Sequence, residues 1–120
     1  MNQFQAIGRL AREVDLKEFS NTGNAVLNNV LAIPRSFNQD KDRTDFIPIV
    51  AWNATGKLMA RYLKKGDEIA IIGNLQSRSY ENKEGQTVYT VEVNVRQVQF
   101  LRKKQENLQE ITINTVSNPN

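Results

Sequence analysis

The chain has 120 residues, with 16 Lys and Arg against 13 Asp and Glu, a net charge of +3. It contains neither Cys nor His, which removes disulfides, thiolate metal sites, the usual general base and the commonest zinc ligand. One domain is expected at this length, and mild basicity is compatible with nucleic acid without proving it.

No apolar run approaches membrane-spanning length, and the start MNQFQAIGRL lacks the basic and apolar segments of a signal peptide. A cytoplasmic protein is expected. NQFQAIGRL reads as a strand, with Phe4 and Ala6 on one face and Gln3, Gln5 and Ile7 on the other. Gly8 interrupts it as a bulge or bend of a tightly curved sheet does. Val14 to Phe19 alternates weakly and looks like an exposed continuation of that strand, and Ser20 to Asn24 is a turn cluster. Ala25 to Ile33 is the second strand, ended by Pro34. A polar connection follows, carrying Arg35, Phe37 and Arg43. Asp40, Asp42 and Asp45 are loosely spaced, with Lys41 and Arg43 between them and no glycine to shape a chelating loop, so no metal is expected.

The organising stretch runs from Asp45 to Tyr80. In DFIPIVAW, Ile47, Ile49 and Ala51 point one way, and Phe46, Pro48, Val50 and Trp52 the other. Large aromatics on the solvent side of a strand call for a partner, either stacked bases or a subunit interface. Asn53 or Thr55 is offered as a helix N-cap. The Thr55-Gly56-Lys57 echo of a phosphate loop lacks the motif's first glycine and its Ser/Thr after the lysine, so no nucleotide site follows. Leu58, Met59, Tyr62 and Leu63 make one apolar helical face, and Lys64-Lys65-Gly66 a basic last turn. The strand EIAIIGNLQSRSY again interleaves a cation with an aromatic, Arg78 and Tyr80. After a hairpin turn at Glu81 to Gly85, a long strand alternates from Gln86 to Val95, with Val98, Phe100 and Leu101 extending it. Beyond Lys103 the composition turns polar, which reads as a tail: residues 1–102 form the expected domain and 103–120 the tail.

About five strands in an antiparallel pattern, with one helix between the third and fourth, fit an all-β, five-stranded Greek-key barrel of the oligonucleotide-binding (OB) fold. Its outward aromatics and cations suggest a platform for flat, unpaired bases. An enzyme is not expected without His, Cys or a carboxylate pair.

The chain resembles the bacterial and phage single-stranded DNA-binding proteins over residues 2 to about 101. The resemblance is carried by IGRL (7–10), NTGNAVLNNVLA (21–32), TDFIPIVAW (44–52), ARYLKKGDEIAIIGNLQSRSY (60–80) and TVYTVEV (87–93). It implies stacking residues at Phe37, Phe46, Trp52 and Tyr80. Arg9, Arg35, Arg43, Arg78, Lys64 and Lys65 are the candidates for phosphate contacts. It also implies a homotetramer without cofactor that protects and unfolds single-stranded DNA during replication, recombination and repair. Pro48, Ala54, Gln76 and Ser79 stand where some family members carry Arg or Lys. The acidic, aromatic-ended tip through which family members recruit enzymes is absent from Thr115 to Asn120, so recruitment of that kind is not expected; this suits a phage, plasmid or accessory copy. Bland readings stay open beside these: Phe37 capping the barrel, Tyr80 packing on Val88 or Tyr89, Lys64 and Lys65 serving the helix C-terminus. An RNA binder of the same fold and a replication-restart interaction module are the alternative functions.

Overall fold

Alternating apolar residues produce strands here because each strand has one face to bury. The computed structural model describes residues 1–35 and 43–103. Its elements are β1 (Phe4–Leu10), β2 (Leu16–Phe19), β3 (Asn24–Pro34), β4 (Thr44–Trp52), α1 (Asn53–Tyr62), β5 (Glu68–Glu81) and β6 (Thr87–Arg102). The sheet runs β1-β5-β6-β4-β3-β2, and an additional β1–β3 pairing closes five of the strands into a barrel, the expected OB-type architecture. Closure leaves no long free edge among those five strands.

Leu10, Leu27, Leu31, Ile49, Ile69, Ile71, Val93 and Val95 fill the interior, joined by Met59 and Leu63 at one end of the barrel. Each such side chain contributes about 1.5–3 kcal/mol on burial. Met59 and Leu63 thus fix α1 as the plug of that end, whereas Leu58 and Tyr62, expected on the same face, are exposed. Tyr62 instead meets the Phe100 ring, with centroids 6.0 Å apart. Among the described residues no helix is long and apolar enough to cross a membrane.

Four further details differ from the sequence reading. Residues 16–19 do not continue β1; they form β2, a hairpin partner of β3 across a turn in which the Thr22 and Gly23 amides donate to the Phe19 carbonyl. The sheet is not wholly antiparallel, because β4 and β6 pair in parallel at Ile49–Val93 and Val50–Asn94, the contact that brings the barrel round. Neither Asn53 nor Thr55 caps α1; Trp52 is the N-cap residue and makes no side-chain cap bond. The register that pairs Val26 with Trp52 leaves Ala25 facing Asn53. Here the backbone turns into the helix with Asn53 at φ 51°, a region Asn tolerates. Asn53 Oδ1 therefore accepts from the Ala25 amide at 2.8 Å, replacing the lost ladder bond. Gly66 does not end the helix. It sits at φ 93° in the next turn, closed by the Asp67 amide donating to the Lys64 carbonyl.

Gly8 marks the closure itself. A Cβ there would lie 2.5 Å from the Ala32 carbonyl oxygen on β3, so the two strands can approach this closely only at glycine.

Candidate nucleic-acid interface

The register of the barrel assigns its outer face residue by residue. Ala32, Val30, Asn28 and Val26 of β3 lie opposite Phe46, Pro48, Val50 and Trp52 of β4, and paired residues share a face. On the other side Asn94 of β6 neighbours Val50. Asn74, Gln76, Arg78 and Tyr80 of β5 pair in turn with Asn94, Glu92, Thr90 and Val88 of β6. Phe46, Trp52 and Tyr80 therefore belong to one continuous surface.

The structure leaves all three rings open. Phe46 is 62% exposed, Trp52 45% and Tyr80 53%, while Ile49 and Ala51 between the first two are buried. Phe46 and Trp52 stand about 20 Å apart along β4, at about 3.3 Å per residue, room for several nucleotides. Val50 shares their parity but is buried, having a paired neighbour on each side in Asn28 and Asn94. Tyr80 lies across from Val88, as the packing reading expected, yet keeps most of its ring in solvent. Phe37 lies outside the described residues.

Two depressions cut this surface. The first, the hairpin groove of about 390 Å³, lies between β3 and β4 and the projecting β5–β6 hairpin, with Arg12, Asn28, Pro48, Arg78, Tyr80 and Glu92 in its lining. The second is formed by Arg35, Arg43, Thr44, Asp45 and Phe46. Aromatic rings beside cations, Phe46 with Arg35 and Arg43 and Tyr80 with Arg12 and Arg78, are what a strand of bases joined by phosphates requires.

The predicted cations separate into groups. Arg78 is on the hairpin groove, ion-paired to Glu92 with Nε–Oε1 at 3.3 Å. Arg43 and Arg35 flank Phe46. Arg35 is already engaged, its guanidinium donating to both carboxylate oxygens of Asp45 at 3.0–3.3 Å. That hydrogen bond, more than the charge itself, holds the Asp45 carboxyl below its ordinary range. Asp45 is therefore ionised and paired throughout neutral pH; the pair is lost only as pH falls through that lowered value. Arg9 stands in register with Ala32, itself opposite Phe46, but its Nη1 donates to the Gly66 carbonyl at 2.9 Å. Lys64 and Lys65 occupy the turn between α1 and β5, outside the lining of either depression.

Asp45 and the DNA phosphate would compete for Arg35. Asp45→Asn should tighten binding of single-stranded DNA a few-fold and steepen its salt dependence by about 0.7 in the log–log slope, one additional phosphate contact. Weaker binding at an unchanged slope would show instead that the pair orders the base of the loop.

Sequence reasoning missed Arg12 on the hairpin groove. Its placement comes from Asn29, which is buried. The Asn29 amide accepts from the Arg12 amide at 3.2 Å and donates to the Arg12 carbonyl at 3.1 Å, clamping the chain leaving β1 against β3. A buried polar residue in a strand of apolar neighbours was the available signal.

A family model described as "Single-strand binding protein family" matches residues 1–101. A single-stranded DNA-binding protein of Clostridium tetani is 44% identical over 102 residues, covering 84% of this chain and 70% of that relative. Single-stranded DNA-binding protein 1 of Clostridium acetobutylicum is 36% identical over 108 residues, covering 88% of this chain and 98% of the relative. Single-stranded DNA-binding protein 2 of Listeria monocytogenes is 38% identical over 120 residues, covering 98% and 74%.

Proposed function

Because the chain belongs to the single-strand binding protein family, we propose that it coats single-stranded DNA without regard to overall sequence, stacking bases on Phe46, Trp52 and Tyr80. The exposed aromatic row on the outer face of the closed barrel carries this reading. Phosphates run along Arg12, Arg43 and Arg78, with Arg35 available once Asp45 releases it. Lys64, Lys65 and Arg9 meet the strand only where it leaves the two depressions. Stacking tolerates every base because each has a flat face, at about 1–3 kcal/mol per base. Duplex is a poor ligand, since its bases are already stacked. Such binding performs no chemistry; it protects and unfolds DNA in the cytoplasm during replication, recombination and repair.

The working unit is a homotetramer. Ile7 is exposed on the outer face of β1 opposite Ala70 of β5, with Ile72 one rung away opposite Gln5, an apolar surface that a second copy would cover. The expected tail is, Lys103 apart, outside the described residues. Its sequence balances Lys103 and Lys104 against Glu106 and Glu110, so we do not assign it a role in competing with DNA or in recruiting enzymes.

Competition of oligo-dT against duplex of equal length, at several salt concentrations, tests the reading. Strong preference for oligo-dT with a slope near −0.7 per phosphate is expected. Equal affinity for duplex would overturn it, and a solution mass below four times the 13.7 kDa protomer would remove the tetramer.

A further inference from the structure

A surface that binds a polyanion has no evident use for a buried anion, yet the hairpin groove contains one. The Glu92 side chain is only 8% exposed and lines the groove beside Asn28, Thr90, Arg78 and Tyr80. Its one ion-pair partner among the described residues is Arg78, through Oε1, and the Arg78 side chain is itself 65% exposed. Oε2 has no hydrogen-bond partner among the described residues and keeps its acceptor capacity. Burial weakens solvent screening, so a phosphate brought to this point would be repelled. What an ionised carboxylate accepts is an N–H donor, and the donors of single-stranded DNA are on the base edges.

The base edges differ in a way a carboxylate can read. Cytosine presents its N4 amino group where thymine presents the O4 carbonyl. We propose that Glu92 biases this otherwise sequence-tolerant surface, accepting from the amino edge of cytosine and disfavouring the carbonyl edge of thymine at one nucleotide position. That position is not the one stacked on Tyr80. Tyr80 is opposite Val88, and Glu92 lies four residues further along β6, about 13 Å away at the rise of a strand. The nucleotide concerned is the one that turns toward the groove floor between Tyr80 and Pro48. Arg78 then has two tasks, to pair with Oε1 of Glu92 and to meet the neighbouring phosphate. This inference rests on the groove's taking single-stranded DNA.

The test is competition between oligo-dC and oligo-dT of equal length for the full chain, at one salt concentration, in wild type, Glu92→Gln and Arg78→Gln. Glutamine keeps the size of the side chain but offers a donor as readily as an acceptor. Glu92→Gln should move the dC-to-dT affinity ratio toward dT by about three- to tenfold per site. Arg78→Gln should weaken both strands together and leave the ratio favouring dC relative to Glu92→Gln. If Glu92→Gln lacks the wild-type thermal transition, Glu92→Asp, which withdraws the carboxylate by one methylene, should move the ratio in the same direction. A ratio unchanged within about twofold, whatever happens to the two affinities, would overturn the proposal and leave Glu92 as the anchor of Arg78. Failure of the wild type to bind either strand would instead overturn the reading of the groove.

Discussion

Phe46→Ala and Trp52→Ala are each expected to weaken oligo-dT binding by about 1–3 kcal/mol per site, without unfolding the barrel. Both rings lie on the open side of β4, 62% and 45% exposed, while its inward residues Ile49 and Ala51 are fully enclosed. Removing either ring deletes a stacking surface and leaves no cavity in the core, so stability should change by no more than about 0.5 kcal/mol. The double variant tests whether one strand engages both: losses that add indicate independent sites about 20 Å apart. A lowered thermal transition with undiminished affinity in the folded fraction would place these rings in a structural interface.

Gly73→Ala should act in the opposite sense, on stability before binding. Gly73 lies at a register shift in the β5–β6 ladder, between Ile72 and its own pairing with Val95. A Cβ at this position would collide with the Asn94 carbonyl oxygen and press on Val93. The obstacle is backbone in the middle of a sheet and cannot swing aside as a side-chain tip would. Overpacking of this kind costs about 1–3 kcal/mol or more. It also displaces Asn94, which joins β6 to Val50 of β4 at the parallel contact. Chemical denaturation of wild type and variant measures the loss. An unchanged midpoint would mean that the ladder shifts freely here and that the bulge does not fix the barrel's closure.

The alternation of DFIPIVAW was enough to separate the core side of β4 from its outer side, because period-two patterning leaves only one assignment when one face is apolar and enclosed. Val50 escaped this logic: parity placed it outward correctly, but its burial depends on β3 and β6 flanking it, which no local pattern reports. The same limit applies to the parallel β4–β6 pairing, a contact between residues more than forty positions apart. The helix start was misread because Asn53 fits two roles, cap and ladder substitute, and the tertiary neighbour Ala25 chose between them. Cations were the least legible. Arg35, Arg78 and Arg9 look alike in sequence, yet one is locked to Asp45, one to buried Glu92 and one to the Gly66 carbonyl. Arg12 reaches the groove only through the Asn29 clamp.

Trp52 is the only tryptophan in the chain, so its emission reports one position on the outer face of β4. The most direct measurement of base stacking there is a fluorescence titration of the intact protein with oligo-dT, read together with an independent binding signal such as anisotropy of a labelled strand. Stacking predicts that Trp52 emission is quenched in step with saturation and recovers when high salt releases the DNA. A saturating complex formed with unchanged Trp52 emission would contradict it.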